Sequence, residues 1–296
     1  MKLGFIGLGH MGHPMMRNLL KAGFAVMVYD VMPAAIASAT KDGASAAASI
    51  AEIAKYADII FISVQTGQQV TDICLSESGL FVNVSAGKLI IDCSSIDIVA
   101  TRALHAEAEK RKIGMLDAPV SGGVSGAEAA TLTFMVGGKQ ENFERALPIL
   151  QKMGKKIVHA GEAGSGQAAK ICNNMLLGIS MIGTCEAFAL AEKLGLDAKK
   201  FFEISSNASG QCWSMTSYCP VPDIVQTAPS NREYAPGFMS KMMLKDLRLA
   251  QHAAESVNAS IPLGAETTAL YDLFVNQGGG EKDFSAIIQF IKGEGE

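Results

Sequence analysis

The chain has 296 residues, a formal net charge of −4, and 49% hydrophobic but only 6% aromatic residues. That length suffices for about two domains with cores of their own. The mild acidity and the lack of a long Lys/Arg run exclude an electrostatic nucleic-acid surface.

Lys2-Leu3-Gly4-Phe5-Ile6 reads as a strand, and Gly7-Leu8-Gly9-His10-Met11-Gly12 as a glycine-rich turn opening a helix. Ala25-Val26-Met27-Val28-Tyr29-Asp30 reads as a second strand closed by an acid. A Gly-x-Gly-x-x-Gly in this strand–turn–helix context, with an acid at this distance, is a dinucleotide-binding signature. Gly7 permits the tight turn, Gly9 lets the backbone approach a pyrophosphate, and Gly12 lets the helix pack closely. The helix N-terminus offers N–H groups to the phosphates. Asp30 can accept hydrogen bonds from a ribose but repels a 2′-phosphate, and no Lys or Arg follows before Lys41. The cofactor expected is therefore NAD rather than NADP.

Further strands are expected over 58–64, 88–93, 114–117, 131–136 and 155–159, with helices over 97–112 and 140–153. This alternation predicts an α/β fold, a Rossmann-type, doubly wound parallel sheet. Gly161-Glu162-Ala163-Gly164-Ser165-Gly166 then marks a change of pattern. Only helices are expected after it, over 167–194, 197–206, 238–257, 261–276 and 283–292, which makes an all-α C-terminal domain. The expected domains are 1–163, binding the cofactor, and 164–296, for substrate and oligomerisation. Between the helices, 211–237 reads as an irregular segment carrying the sole tryptophan, Trp213, and a loop of that length is more often functional than idle.

The six cysteines (Cys74, Cys93, Cys172, Cys185, Cys212, Cys219) form no C-x-x-C pair and no metal-ligand spacing, so reduced thiols and no metal are expected. The first strand starts directly after Met1, so no targeting segment is expected and the expected location is cytoplasmic. The apolar run 175–185 is shorter than a bilayer span and reads as a buried helix with no membrane role.

Three groups of residues carry chemistry. Lys170 and Asn174 lie four apart in a helix and share a face, with Gly178 continuing that face and expected to leave space beside it. A lysine near a helix N-terminus, beside a nicotinamide cation, suits proton transfer. In isolation it reads first as a solvated lysine on an amphipathic helix. Asp117-Ala118-Pro119-Val120-Ser121-Gly122-Gly123 follows a strand at the carboxyl edge of the sheet, where ligands of open α/β folds bind. Ser121 with the amides of Gly122 and Gly123 forms an anion-accepting nest for a carboxylate, or an ordinary turn. Gly237-Phe238 and Lys245-Asp246 read in isolation as a cap and a surface charge pair.

Taken together, Gly7 to Gly12, Asp117 to Gly123, Gly166 to Asn174 and Lys245-Asp246 resemble the signatures of the β-hydroxyacid dehydrogenase family over nearly the whole chain. Cys212-Trp213-Ser214, Tyr218-Cys219-Pro220-Val221-Pro222, Tyr234-Ala235-Pro236-Gly237-Phe238 and Lys282-Asp283-Phe284-Ser285 resemble its branch acting on 3-hydroxyisobutyrate. The resemblance implies NAD-dependent oxidation of that 3-hydroxy acid to methylmalonate semialdehyde, a step of valine breakdown, with Lys170 as general acid/base. It implies that Ser121, Gly122 and Gly123 hold the carboxylate. Asn174 would position the substrate, Phe238 would contact it, and Lys245 would close on the nicotinamide side with Asp246 supporting it. Leu8, His10, Met11, Gln65, Thr66 and Ser95 would line the cofactor beside Gly7, Gly9, Gly12 and Asp30.

Gln65-Thr66 stands where relatives commonly carry Leu-Pro, and Arg248 where a small residue is common. Phosphogluconate relatives usually carry His-Asn in place of Asn173-Asn174. Reductases of tartronate or succinic semialdehyde share the motifs and are the alternative, and a non-catalytic dinucleotide-binding module is the alternative of a different class. The resemblance also implies a homodimer or homotetramer.

Overall fold

The structure is a computed structural model that describes residues 1–293; the last three residues of the expected second domain, 294–296, lie outside the described residues. Two compact units are distinguished, Met1–Lys170 and Ile171–Glu296.

The first unit runs β1 (Lys2–Ile6), α1 (Gly12–Lys21), β2 (Ala25–Tyr29), α2 (Pro33–Lys41), β3 (Ser45–Ala46), α3 (Ile50–Tyr56), β4 (Ile59–Ile62), α4 (Gly67–Leu75) and α5 (Leu80–Asn83). It continues through β5 (Leu89–Asp92), α6 (Ile98–Lys110), β6 (Gly114–Asp117), β7 (Val120–Ser121), α7 (Gly123–Glu128), β8 (Leu132–Gly137), α8 (Gln140–Leu150) and β9 (Gly154–Gly161). The sheet order is β3-β2-β1-β4-β5-β6-β8-β7, with β9 also paired to β8. Leu3, Phe5, Ile59, Phe61, Leu89 and Ile91 feed one apolar cluster, while Ile6, Ile60, Ile62 and Ile90 feed another. Because neighbours along a strand point to opposite faces, these two clusters mean that helices cover both sides. The strands therefore read as unbroken apolar runs.

The sheet is not parallel throughout. β8 runs antiparallel to both β6 and β7, and only then does β9 return parallel to β8. β6 and β7 share one register along β8, with Asp117 opposite Gly137, Val120 opposite Phe134 and Ser121 opposite Thr133, so the chain reverses within 122–131, around the short α7, whereas α8 provides the crossover that parallel β8 and β9 need. From β1 the chain moves outward to β2 and β3, then crosses back to β4 on the other side of β1. The carboxyl ends of β1 and β4 thus form the switch point at which open α/β sheets place ligands.

The chain then forms α9 (Ser165–Lys193), α10 (Ala198–Ser205), α11 (Trp213–Thr216), α12 (Ser240–Ser256), α13 (Pro262–Asn276) and α14 (Ile287–Lys292). The helix expected over 283–292 divides into a 3₁₀ turn, Phe284–Ala286, and α14, with Asp283 capping the turn. α9 has 29 residues and is long and apolar enough to cross a membrane by length and composition. The apolar run 175–185 is therefore part of a helix whose length alone does not decide against a bilayer; its packing identifies it as a core helix. Met181, Ile182, Cys185 and Phe188 are buried in one cluster with Leu244 and Leu247 of α12 and Tyr271 of α13.

The segment 211–237 is likewise not an irregular excursion. It contains α11 and a 3₁₀ turn, Pro229–Arg232, and buries Met215 and Cys219. Ser230 donates to the Cys219 carbonyl at 2.8 Å and Tyr234 to the Pro220 carbonyl at 2.9 Å, so it is a folded strap pinned from inside.

Among the described residues no disulfide forms: Cys74, Cys93, Cys185 and Cys219 are buried, Cys212 is half-buried and Cys172 is exposed. Burial pushes the thiols of Cys93 and Cys185 well above their ordinary range and that of Cys219 up to about 11. Among the described residues no group of His, Cys, Asp and Glu could hold a metal.

Candidate active site

Gly7 follows β1 at φ +92°, and a Cβ there would stand 2.1 Å from the Ser63 carbonyl beyond β4. Only glycine fits this contact at the switch point. A Cβ at Gly12 would stand 2.0 Å from the Gly7 carbonyl and 3.2 Å from the Phe5 ring, so Gly12 packs α1 first against the turn itself. At Gly9 a Cβ would meet no protein atom within 4 Å, and His10 beside it is exposed. The loop is thus tight on its protein side and open where a pyrophosphate would approach. Leu8 is buried and Met11 half-buried.

Asp30 ties the turn to the end of β2: Oδ2 accepts the Leu8 N–H at 2.6 Å and Oδ1 the Met32 N–H at 2.8 Å. Each carboxylate oxygen has two acceptor sites, which leaves one on each for ribose hydroxyls. These residues fit NAD. Asp30→Ser keeps an acceptor for the turn and removes the charge. It is expected to weaken NAD binding roughly tenfold, about the worth of one charge-assisted hydrogen bond. NADP binding should improve relative to NAD, and Kd titrations with both would reject the assignment if their ratio stayed put.

The next two loops of the edge are held by side chains. Val64 donates its N–H to Ser94 Oγ at 3.0 Å, and Ser94 donates its own to Asp92 Oδ1 at 2.9 Å. Ser95 follows, half-buried. Thr66 and Gln69 form a capping box on α4, and Gln69 Oε1 also accepts the Gln65 N–H at 2.9 Å. The departure at 65–66 therefore replaces the restraint of a proline with a helix cap.

Ser121 ends β7 and is half-buried; Gly122 and Gly123 follow at φ +134° and +64°, conformations that favour glycine. Asp117, fully buried at the end of β6, accepts the N–H groups of Gly164 and Gln167, each at 2.9 Å. Gln167, also fully buried, donates to the Ser94 carbonyl at 2.7 Å and accepts the Ile96 N–H at 3.2 Å. Lys170 lies one helical turn further along α9 and is only 8% exposed. It is therefore not the solvated lysine of an amphipathic helix. Asp117 and Gln167 lie inside the motifs named above, but local pattern assigned neither of them a role. The available signal was an acid ending a fully buried strand.

In the second unit, Asn174 is buried and donates to Asp246 Oδ2 at 2.6 Å, while its own Oδ1 accepts from Asn173 at 3.0 Å. Asp246 is also buried, and its Oδ1 lies 3.3 Å from Lys245 Nζ. Lys245-Asp246 is thus no surface charge pair: Asp246 belongs first to Asn174 and second to Lys245. The space expected beside Gly178 is filled, since a Cβ there would stand 3.1 Å from Leu247 and 3.2 Å from Thr267. Gly178 is where α12 and α13 approach α9. Arg248 is exposed and pairs with Asp272 of α13, which accounts for a large residue there.

Phe238 is half-buried, edge-on to Phe284, and its N–H reaches Asp283 Oδ2 at 3.0 Å. Trp213, half exposed, stacks on Tyr218 with ring centres 4.9 Å apart.

A family model described as the NAD binding domain of 6-phosphogluconate dehydrogenase matches residues 2–161. A second, described as NAD-binding of NADP-dependent 3-hydroxyisobutyrate dehydrogenase, matches residues 164–291. The chain is 46% identical to an NAD-dependent L-serine dehydrogenase of Pseudomonas aeruginosa, over 97% of this chain and 96% of that one. It is 44% identical to a 3-hydroxyisobutyrate dehydrogenase of the same organism, over 99% of both. Among solved structures, the Mycobacterium tuberculosis 3-hydroxyisobutyrate dehydrogenase with L-serine is similar at a TM-score of 0.94 and 42% identity, over 98% of this chain and 99% of that one.

Proposed function

The chain belongs to the β-hydroxyacid dehydrogenase family, and on that premise we propose that it oxidises 3-hydroxyisobutyrate to methylmalonate semialdehyde, as in valine breakdown. Lys170 supports this reading: a buried lysine in the first turns of α9, in the same compact unit as the nucleotide turn and the Ser121 turn. Bound NAD supplies the hydride acceptor. Lys170 takes the hydroxyl proton as the alcohol carbon is oxidised, and returns it to the developing alkoxide in the reverse direction. Ser121 and the amides of Gly122 and Gly123 hold the carboxylate. Asn174, fixed by Asp246, orients the substrate; Lys245 contributes beside it, and Phe238 limits substrate size.

L-serine is the second reading, favoured by the 46% identity to an L-serine dehydrogenase. Both molecules carry a CH₂OH group and a carboxylate on one carbon and differ in a methyl or an ammonium there. Exposed Leu176 and Leu190 on α9, with exposed Leu194 directly after it, support placing a homodimer or homotetramer contact in the helical unit.

Initial rates with NAD⁺ and NADP⁺ against 3-hydroxyisobutyrate, L-serine, glycerate and 4-hydroxybutyrate test the proposal. The expected order of kcat/KM is 3-hydroxyisobutyrate, then L-serine, with NAD⁺ preferred. A higher value for glycerate or 4-hydroxybutyrate would reassign the enzyme to the semialdehyde reductases.

A further inference from the structure

The Asp117 carboxylate is fully buried, which costs desolvation unless its oxygens are hydrogen-bonded. It spends both oxygens on the start of one helix: Oδ1 accepts from Gly164 and Oδ2 from Gln167. His105 Nε2 stands 3.0 Å from Oδ1 without the geometry of a hydrogen bond. The surroundings are shaped around this carboxylate. A Cβ at Gly137 would lie 2.7 Å from both its oxygens, and one at Gly166 would lie 2.9 Å from Oδ2 and 2.3 Å from the Met135 carbonyl. Negative charge at a helix N-terminus is favourable, but an exposed cap would serve that end alone.

Gln167 adds a second direction of restraint, since its amide joins the same turn of α9 to the Ser94 carbonyl and the Ile96 N–H beyond β5. Lys170 follows Gln167 by three residues and therefore lies on the same side of the helix. Ser121 follows Asp117 by four residues, through Ala118-Pro119 and β7. One buried carboxylate thus sits four residues before the Ser121 turn and one hydrogen bond from the helix that carries the lysine.

We infer that Asp117 and Gln167 are positioning residues for proton transfer, a clasp that fixes Lys170 relative to the Ser121-Gly122-Gly123 turn. The inference rests on the assignment of Lys170 as the proton-transfer group. Its energetic basis is the steepness of reactivity with placement: a displacement of about 1 Å can cost on the order of 100-fold in rate.

Two variants test it, Asp117→Asn and Gln167→Met. Each is followed by kcat and KM for both substrates, and by ¹³C NMR titration of reductively methylated lysines in the protein without NAD. The Lys170 resonance is assigned by its absence in Lys170→Arg. For Asp117→Asn, kcat is expected to fall at least about tenfold while KM for NAD stays within about twofold, because placement and not cofactor binding is disturbed. The Lys170 titration should also move, since an anion near its helix start is lost.

Gln167→Met keeps both backbone bonds to Asp117, so there the readout is a smaller fall in kcat at unchanged KM for NAD. If Asp117→Asn does not fold, this variant decides alone. A lowered melting temperature with unchanged kcat and unchanged titration, or a fall in kcat in Asp117→Asn without a displaced titration, overturns the clasp. Retained turnover in Lys170→Ala would instead overturn the assignment on which it rests.

Discussion

Lys170→Ala is expected to lower kcat by roughly 10² to 10⁴, the usual worth of a positioned proton-transfer group. Cofactor binding should be nearly untouched, because the glycine turn is tied to Asp30 and Tyr29, through the Leu8 N–H and the Gly7 N–H, and Asp30 also holds the Met32 N–H. The fold should survive as well. The start of α9 is fastened by Asp117 and Gln167, neither of which is altered, and alanine is the best helix former. The variant therefore separates chemistry from assembly. Its NAD Kd and melting temperature should match those of the parent, while steady-state turnover, and the limb of the pH profile that reports the base, should collapse. Near-normal turnover in a folded, NAD-binding variant would remove Lys170 from the mechanism and return it to the role of a buried structural lysine.

What could be read in advance followed the range of the interactions. β1, β4, β5 and β6 were legible because a sheet covered on both faces writes each strand as a continuous apolar run, and the glycine turn because its spacing fits within six residues, although the carbonyl that demands glycine at Gly7 belongs to Ser63. Ser45–Ala46 was too short to leave a pattern, and the reversal into β8 takes place within 122–131, around the short α7, where no apolar run records the direction of the next strand. The candidate site divides the same way. Lys170 and Ser121 stand out by residue type and spacing. The partners that hold their surroundings act across long stretches of chain: Asp117 reaches Gln167 over 50 residues, and Gln167 reaches Ser94 over 73. Asn174 and Asp246 meet across 72. No local periodicity records such contacts, and a glycine such as Gly178 looks the same whether it opens a space or admits a neighbour.

The largest stability effect is expected at Asp283, in the second unit. This fully buried carboxylate accepts from five donors: the Tyr218 hydroxyl and the Gly237 and Phe238 N–H groups on Oδ2, and the Ser285 N–H and hydroxyl on Oδ1, all between 2.7 and 3.0 Å. It joins the strap before α12 to the turn before α14, two segments with little regular structure to hold them otherwise. Burial, and then the charge of Asp283 beside it, hold the Tyr218 phenol well above its ordinary pKa, so it remains a donor. Asp283→Ala strands several of these groups at once. Each stranded buried donor costs about 1 to 3 kcal/mol, reduced where the site relaxes or admits water, so about 4 kcal/mol in total is a reasonable expectation. For a cooperative unit of this size that corresponds to a drop in Tm of roughly 12 to 16 °C. Asp283→Asn keeps the shape but turns an NH₂ toward donors, and should fall between the two.

Calorimetry reads the shift, and Trp213 provides a local reporter. It is the only tryptophan and stacks on Tyr218, whose hydroxyl Asp283 holds, so its emission should change in the variant even at temperatures where the helical circular dichroism is intact. A Tm shift below about 3 °C, less than one kcal/mol by the same scaling, would mean that other groups or water take over the five donors.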